Sequence, residues 1–298
     1  MVSGSENSVT FDNPYTGCTY YWQVIATKQN DKLAYSDIFS FNVADLPRTI
    51  YIPGISNTRD LGGRTNLNGE KMKEGLVYRG NLLEPTTEIG KVEFKTNLGI
   101  KTEIDLRNIG EGAENALSLP NYYHCPSPYD AVDASVNDFS NIANVSGTNS
   151  NCLTFGNAIK AMGNKNNYPL YFHCSVGRDR TGWMGICLDY LCGMSEEVAL
   201  KEFILSLFSC AGAYLKGNLE FYNRFNRITD YLKTFSGNTM QEKTEDYLVK
   251  HCGVTHQDCE NVRDVLLGKV DTGYFPGKVN TESYEGYSRV TFRRYGQD

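Results

Sequence analysis

Residues 168–191 constrain this chain more than any others. Tyr168-Pro169-Leu170-Tyr171-Phe172-His173 is an apolar run of strand length, and it leads straight into Cys174-Ser175-Val176-Gly177-Arg178-Asp179-Arg180. Thr181-Gly182 then opens a stretch to Leu191 that is apolar nearly all round, the pattern of a buried helix. The Cys-x5-Arg spacing means little alone, because nine cysteines and 13 arginines in 298 residues give about 0.4 such spacings by chance. Its placement between a strand and a buried helix, with Gly three residues after the Cys, makes it a strand–loop–helix anion cradle.

The physics of such a loop is specific. Successive backbone N–H groups and the positive end of the following helix favour a dianionic phosphate. The same field stabilises a thiolate, which predicts a depressed pKa and nucleophilicity for Cys174. Arg180 offers a planar fork for two phosphate oxygens. Gly177 permits backbone geometry that a Cβ would obstruct. Thr181 is placed to hydrogen-bond the sulfur when it becomes a leaving group. The loop 175–180, with Ser175, Val176, Gly177, Arg178, Asp179 and Arg180, is therefore the predicted phosphate site, and His173 is read as the residue that positions the Cys.

Strands and helices interleave around this segment, which implies an α/β domain over 47–268 with a central mixed sheet flanked by helices. Short strands are expected at 48–52, 76–79, 100–107 and 122–126. A helix capped by Thr86 should run to 98, and 127–150 reads as a long loop. Further helices fit 153–162, 181–191, 196–207, 218–235, 239–251 and 255–267, the last with Thr255 and Asp258 as a capping box. Residues 1–46 differ: 18–27 and 36–43 read as two strands around a polar turn at 28–32. Residues 269–298 read as a separate tail.

Composition narrows the partners. Lys and Arg number 29 against 35 Asp and Glu, a formal charge of −6, and no basic block appears, which argues against nucleic acid. No apolar run approaches the ~20 residues that cross a bilayer. The start, Met1 to Ser8, lacks a charged n-region followed by an apolar core, so no signal peptide is expected. Nine cysteines, an odd number spread over a long chain, read as buried thiols with one reactive exception rather than a disulfide scaffold.

The loop resembles the signature of the cysteine-dependent protein tyrosine phosphatase superfamily. Asn57-Thr58-Arg59-Asp60-Leu61-Gly62-Gly63, Val77-Tyr78-Arg79-Gly80-Asn81-Leu82 and Leu98 to Arg107 narrow the likeness to the atypical bacterial tyrosine/serine phosphatases, over roughly residues 50–268. The resemblance implies a phosphomonoesterase with a phosphocysteine intermediate and no metal or other cofactor. Its substrate would be phosphotyrosine in proteins, with phosphoinositide or inositol phosphate as the alternative. It also implies two candidates for the general acid: Asp130, in the family's acid-bearing loop, and Asp179, in the cradle itself, with Asp133 and Asp138 behind them. Two departures stand out. Arg178 replaces the family's usual Lys, and no Trp-Pro-Asp loop is present. A rival reading of another class is an inactive surface-binding module.

Residues 13–22 resemble part of a fibronectin type III module, which would place the protein outside the cell or on its surface, with the cytoplasm as the alternative. Asp60 and Asp105 read as structural carboxylates that cap turns or pair with Arg59, Arg79 or Arg107. The cluster of His251, Cys252, His256 and Cys259 lacks the paired spacing of zinc fingers and reads as ordinary helix-end residues.

Overall fold

The computed structural model describes residues 11–27, 33–45, 47–126, 151–209 and 218–274. The chain divides into two compact units, one holding the N-terminal strands up to Arg48 and the other Thr49–Pro276.

The first unit contains β1 (Thr19–Trp22), β2 (Ile25–Thr27), β3 (Leu33–Tyr35) and β4 (Phe39–Asn42). β1 pairs antiparallel with β4, and β2 with β3. The single strand expected at 18–27 is thus broken in two. At the break Ser36 Oγ accepts from the Val24 amide at 2.9 Å, so a side chain takes a ladder partner's place. Tyr20 stacks on Phe41 and Trp22 on Phe39, with centroids 5.4 and 4.8 Å apart. Such cross-strand aromatic pairs hold a short ribbon together.

The second unit is built on a five-stranded sheet of order β5-β6-β9-β7-β8. Its strands are β5 (Arg59–Asp60), β6 (Val77–Gly80), β7 (Thr102–Asp105), β8 (Asn121–His124) and β9 (Leu170–His173). β6, β9, β7 and β8 run parallel, and β5 closes one edge antiparallel to β6. Every residue of β6, β7 and β9 is buried, as parallel strands covered on both faces require. One face carries Ile104, Leu170 and Phe172 under α2 (Asn151–Met162), α3 (Arg180–Leu191), α6 (Met240–His251) and α7 (His256–Leu266). There Phe155 stacks on Trp183 at 5.9 Å. The other face packs Tyr78 and Tyr171 against Ile52, Phe94, Leu98 and Leu119.

The remaining helices are α1 (Glu88–Val92), between β6 and β7 in the chain, and α4 (Glu196–Ile204) and α5 (Asn218–Lys233), between α3 and α6. Thr87, not Thr86, caps α1: its Oγ1 accepts from the Gly90 amide at 3.1 Å, whereas the buried Thr86 hydroxyl donates to Leu83 O at 2.6 Å. After Val92 the helix widens into a π-helical turn, Glu93–Asn97. The strand expected at 48–52 is reduced to one bridge, Thr49 to Arg59, because β5 offers only two residues for pairing. Helix α4 stops at Ile204 and passes into a 3-10 turn, Leu205–Phe208. The Thr255–Asp258 capping box is present at α7. The predicted long loop at 127–150 lies outside the described residues, as does most of the predicted tail.

The parallel register aligns Gly80 with His173 and Asp105 with His173, so the carboxyl ends of β6, β9 and β7 share one edge. In parallel α/β sheets ligands gather at that edge.

Candidate active site

The loop between β9 and α3 is shaped from behind. The Asn57 side chain donates to Val176 O at 3.2 Å and Gly177 O at 3.0 Å. Arg79 Nη2 donates to Gly177 O at 2.9 Å, and the Leu82 amide to Ser175 O at 3.4 Å. In a trans peptide the next N–H points opposite the carbonyl, so carbonyls held on the outer side turn the amides of 176–178 inward. Gly177 sits at φ +71°, and a Cβ there would meet Gly80 O at 2.2 Å. No other residue fits.

A buried charge network fixes the brace. Glu202 of α4 accepts from Arg59 Nε at 2.6 Å and Arg79 Nη1 at 2.9 Å. Burial works against the Glu202 anion, but Arg59, Arg79 and Arg64 outweigh it and hold the carboxyl at about 2. Burial and the nearby Arg59 charge bring Arg79 down to about 10. Arg59 also donates to Asn57 O and Oδ1, which steadies Asn57 at φ +57°. The blocks at 57–63 and 77–82 are therefore the back wall of the loop. Asp60 and Asp105 are structural as expected: Asp60 accepts from the Gly62 and Gly75 amides, and Asp105 pairs with Arg107.

Cys174 forms the floor of a cleft of about 350 Å³ lined by Asn108, Gly110, Glu111, Ser175, Val176, Asp179 and Arg180. Burial opposes its thiolate, yet the Arg180 charge and the Thr181 hydroxyl and amide more than offset this, so the thiol lies below its ordinary pKa. The nucleophile expected at this position therefore has the electrostatics it needs.

Arg180 is not free to point at will. Its Nη1 donates to Glu111 Oε2 at 2.5 Å and its Nη2 to Oε1 at 2.9 Å, a fork-to-fork pair. Ser175 Oγ donates to Glu111 Oε1 at 2.7 Å, and the Asn108 amide to Oε2 at 2.6 Å. Burial raises the Glu111 carboxyl, but these donors overcome it and hold it at about 2. A carboxylate thus occupies the guanidinium face where a phosphate would lie. Asp179 also lines the cleft. Arg178 grips it through Nε and Nη2, and Arg224 of α5 binds its other side.

Behind the Cys, His173 is fully buried. One ring nitrogen, Nδ1, lies 3.0 Å from Cys174 O, and the other, Nε2, 2.9 Å from Glu103 Oε1.

A strand, a braced loop with inward amides, a low-pKa thiol and a buried guanidinium form one constellation, and the comparisons bear on the same residues. The model of the tyrosine phosphatase family matches residues 50–268. The chain belongs to that family. Among curated relatives, a protein of Cupriavidus necator named as a tyrosine-protein phosphatase is 25% identical over 177 residues, covering 51% of this chain. The match spans 60% of that relative's length. Among solved structures, the core catalytic domain of the PP-IP phosphatase Siw14 from S. cerevisiae, in complex with citrate, covers 62% of this chain and 93% of its own. Its identity is 14% and its TM-score 0.36. A further structure of the Siw14 catalytic core covers 63% and 95% at 13% identity and TM-score 0.37. Likeness this distant says nothing of substrate.

Of the residues singled out from the sequence, Cys174, Ser175, Val176, Asp179 and Arg180 line the cleft together. Gly177 and Arg178 shape the loop beside it, and Thr181 faces the sulfur. Asp130, with Asp133 and Asp138, lies outside the described residues. Sequence reasoning missed Glu111, Glu202, Arg224 and Glu103. Glu111 had a local signal, since Asn108-Ile109-Gly110-Glu111 is itself a capping box. The others had none, because their partners lie far away in the chain.

Proposed function

We propose that this chain is a phosphomonoesterase that hydrolyses phosphotyrosine in proteins through a phosphocysteine intermediate. The Cys174 thiolate attacks phosphorus, the P–O bond to the leaving group breaks, and a carboxyl protonates the departing oxygen. Arg180 swings from Glu111 to two phosphoryl oxygens, and the amides of 175–180 hold the equatorial charge. A water then gives its proton to the same carboxylate and attacks phosphorus. The P–S bond breaks, releasing inorganic phosphate and the thiolate, with the Thr181 hydroxyl supporting the sulfur as it leaves. Glu111, held at about 2, is ionised at any working pH and has no proton to give. Asp179 lines the cleft beside Cys174, and we give it the acid role, for which it must exchange its ion pairs with Arg178 and Arg224 for a proton, with Asp130 as the alternative.

The observation that carries the choice of a singly phosphorylated substrate is the charge of the cleft lining. Among the described residues it holds one cation, Arg180, against Glu111 and Asp179. A polyphosphorylated headgroup needs further cations, and those nearest the cleft, Arg178 and Arg224, are already paired with Asp179. Arg79 is fully buried on Gly177 O, and Arg178 is folded onto Asp179. Lys71 and Lys73 precede β6, at the end of the sheet away from the cleft, where the Lys73 amide bonds Leu266 O at 2.8 Å. The sequence at 127–150 adds three Asp and no Lys or Arg.

The test is phosphate release from p-nitrophenyl phosphate, a phosphotyrosine peptide and a phosphoinositide, for the parent, Cys174→Ser, Asp179→Asn and Asp130→Asn. The peptide should be preferred and Cys174→Ser inactive. Of the two Asp variants, Asp179→Asn should lose more activity on the peptide than on the good leaving group nitrophenolate. Preference for the phosphoinositide would overturn the substrate assignment. No release from any substrate between pH 5 and 7 would favour a binding module. We also read the N-terminal strands as a separate module of a protein working outside the cell, to be tested by fractionating the producing cells. Among the described residues no helix is long and apolar enough to cross a membrane.

A further inference from the structure

Glu103 is an ionisable residue in the middle of a fully buried strand, and the reaction as written does not use it. It lies on β7 in register with Tyr171, and Asp105 is in register with His173, so all four side chains share one face of the sheet. Glu103 and His173 are both fully buried. Carboxylates are almost never buried without a partner that compensates them.

The hydrogen bonds decide what this partner is. Cys174 O is only an acceptor, so His173 Nδ1, 3.0 Å away, must donate to it. The bond between Nε2 and Glu103 Oε1, at 2.9 Å, then needs one proton between two acceptors. Without that proton a buried carboxylate would face an imidazole lone pair. The second carboxylate on this face does not compete for it: Arg107 takes both Asp105 oxygens, at 3.0 and 2.7 Å, and the Tyr122 hydroxyl donates to Oδ2 at 3.3 Å. The same contacts commit Asp105 to Arg107 and Tyr122. Glu103 Oε2 is buried with no hydrogen-bond partner among the described residues, so the carboxylate's strongest contact is the His173 ring.

We propose that Glu103 is a positioning residue of the phosphatase reaction, retaining a proton on His173 Nε2 so that an imidazolium pins the Cys174 carbonyl and supports the thiolate from behind. This rests on the phosphocysteine reading. The groups facing the sulfur are Arg180, Asp179, Thr181, Arg79 and Tyr171. Those facing the imidazole are Glu103, Asp105 and the Tyr171 ring, at 5.6 Å, with Arg107 behind Asp105. Burial disfavours the charged imidazole, but Glu103 and Asp105 overcome this and raise its pKa, the direction the geometry requires.

Glu103→Gln tests the charge while keeping the shape, since the amide N–H can donate to a neutral His173 Nε2. The first readout is the pH dependence of Cys174 alkylation by iodoacetamide in the full chain, followed on the Cys174 peptide by mass spectrometry. The midpoint should rise by about half to one pH unit, a threefold to tenfold loss of thiolate below it. The second is p-nitrophenyl phosphate turnover at pH 6, where kcat should fall by the same factor with KM unchanged. An unmoved midpoint in a folded Glu103→Gln protein overturns the proposal. Nitrogen NMR of the parent's imidazoles decides it even if that variant does not fold. Both His173 nitrogens protonated through pH 8 supports it, and a neutral ring overturns it. A parent midpoint at an ordinary thiol value would instead defeat the phosphocysteine reading, and the NMR result would still decide the proton.

Discussion

Cys174 and the cysteines of the helical core share one side chain and nearly the same burial, yet they differ in chemistry. Cys187 and Cys192 of α3 and its cap, Cys125 after β8 and Cys259 of α7 are all buried. Burial pushes each of these thiols up, Cys125, Cys192 and Cys259 to about 12. Burial acts in the same sense on Cys174, but a guanidinium and two donors at the start of α3 reverse it. Desolvation sets the default for a thiol in this fold, and the braced loop creates the exception. Reactivity therefore belongs to the loop rather than to the residue type.

The sharpest way to break this comparison is substitution at both kinds of site. Cys174→Ser should lower phosphate release by at least roughly 10⁴-fold, as loss of a covalent nucleophile does, while Cys187→Ala should cost stability and leave turnover per folded molecule near the parent's. Comparable losses in the two variants would abolish the distinction. Arg180→Lys keeps the charge and loses the fork, so kcat should drop by about 10²–10³ in steady-state assays, the size expected for a transition-state donor. Iodoacetamide at pH 6 should label Cys174 at least about tenfold faster than any core cysteine, because only the thiolate reacts and each pH unit of separation is a factor of ten. Peptide mapping of the labelled chain reads this directly.

Glu202→Gln sharpens the role of the brace. Removing one partner of a buried ion pair costs about 3 kcal/mol, which thermal unfolding at pH 7 should show. In the folded protein Glu202 lies at about 2, against an ordinary 4.5. Its stabilisation is therefore complete above about 4.5 and fades as the pH falls towards 2. The gap between parent and variant should close over that window, and a constant gap would show that the charge is not what holds the loop. The smallest effect concerns Glu111. Glu111→Gln should strengthen inhibition by inorganic phosphate by a few-fold, about the worth of one charge-assisted bond no longer competing for Arg180. Weaker inhibition would make Glu111 a holder of Arg180 rather than a rival for it.

What was legible in the sequence divides along the same line. The loop, its strand and its helix were readable because neighbouring residues carry the signal: an apolar run, a glycine at the tight turn and an all-apolar helix. The last helix was readable for a similar reason, through Thr255 and Asp258 at its cap. Thr86 was read as the cap and Thr87 fills that place, since either hydroxyl can cap and the bond of the Thr87 amide to Pro53 O, at 3.1 Å, sets the start. The break between β1 and β2 depends on Ser36, from the opposite side of the hairpin. Arg59, Arg79 and the Cys174 loop were visible as motifs, and Glu103 sat inside one, but Glu202 on α4 and the His173 partner of Glu103 were not readable, because an acidic residue declares its partner only in three dimensions.

The brace has a consequence for the life of the chain. The groups that turn the loop carbonyls outward, Asn57 and Arg79, lie 98 to 120 residues before the carbonyls they hold. The anion cradle therefore cannot assemble while its own segment is still alone. A chain leaving the ribosome carries nine cysteines of like character, and Cys174 gains its lowered pKa only when the sheet has closed. Catalytic competence and sensitivity to electrophiles should thus arrive together, late in folding, and make the reactive thiol a built-in reporter of a finished domain.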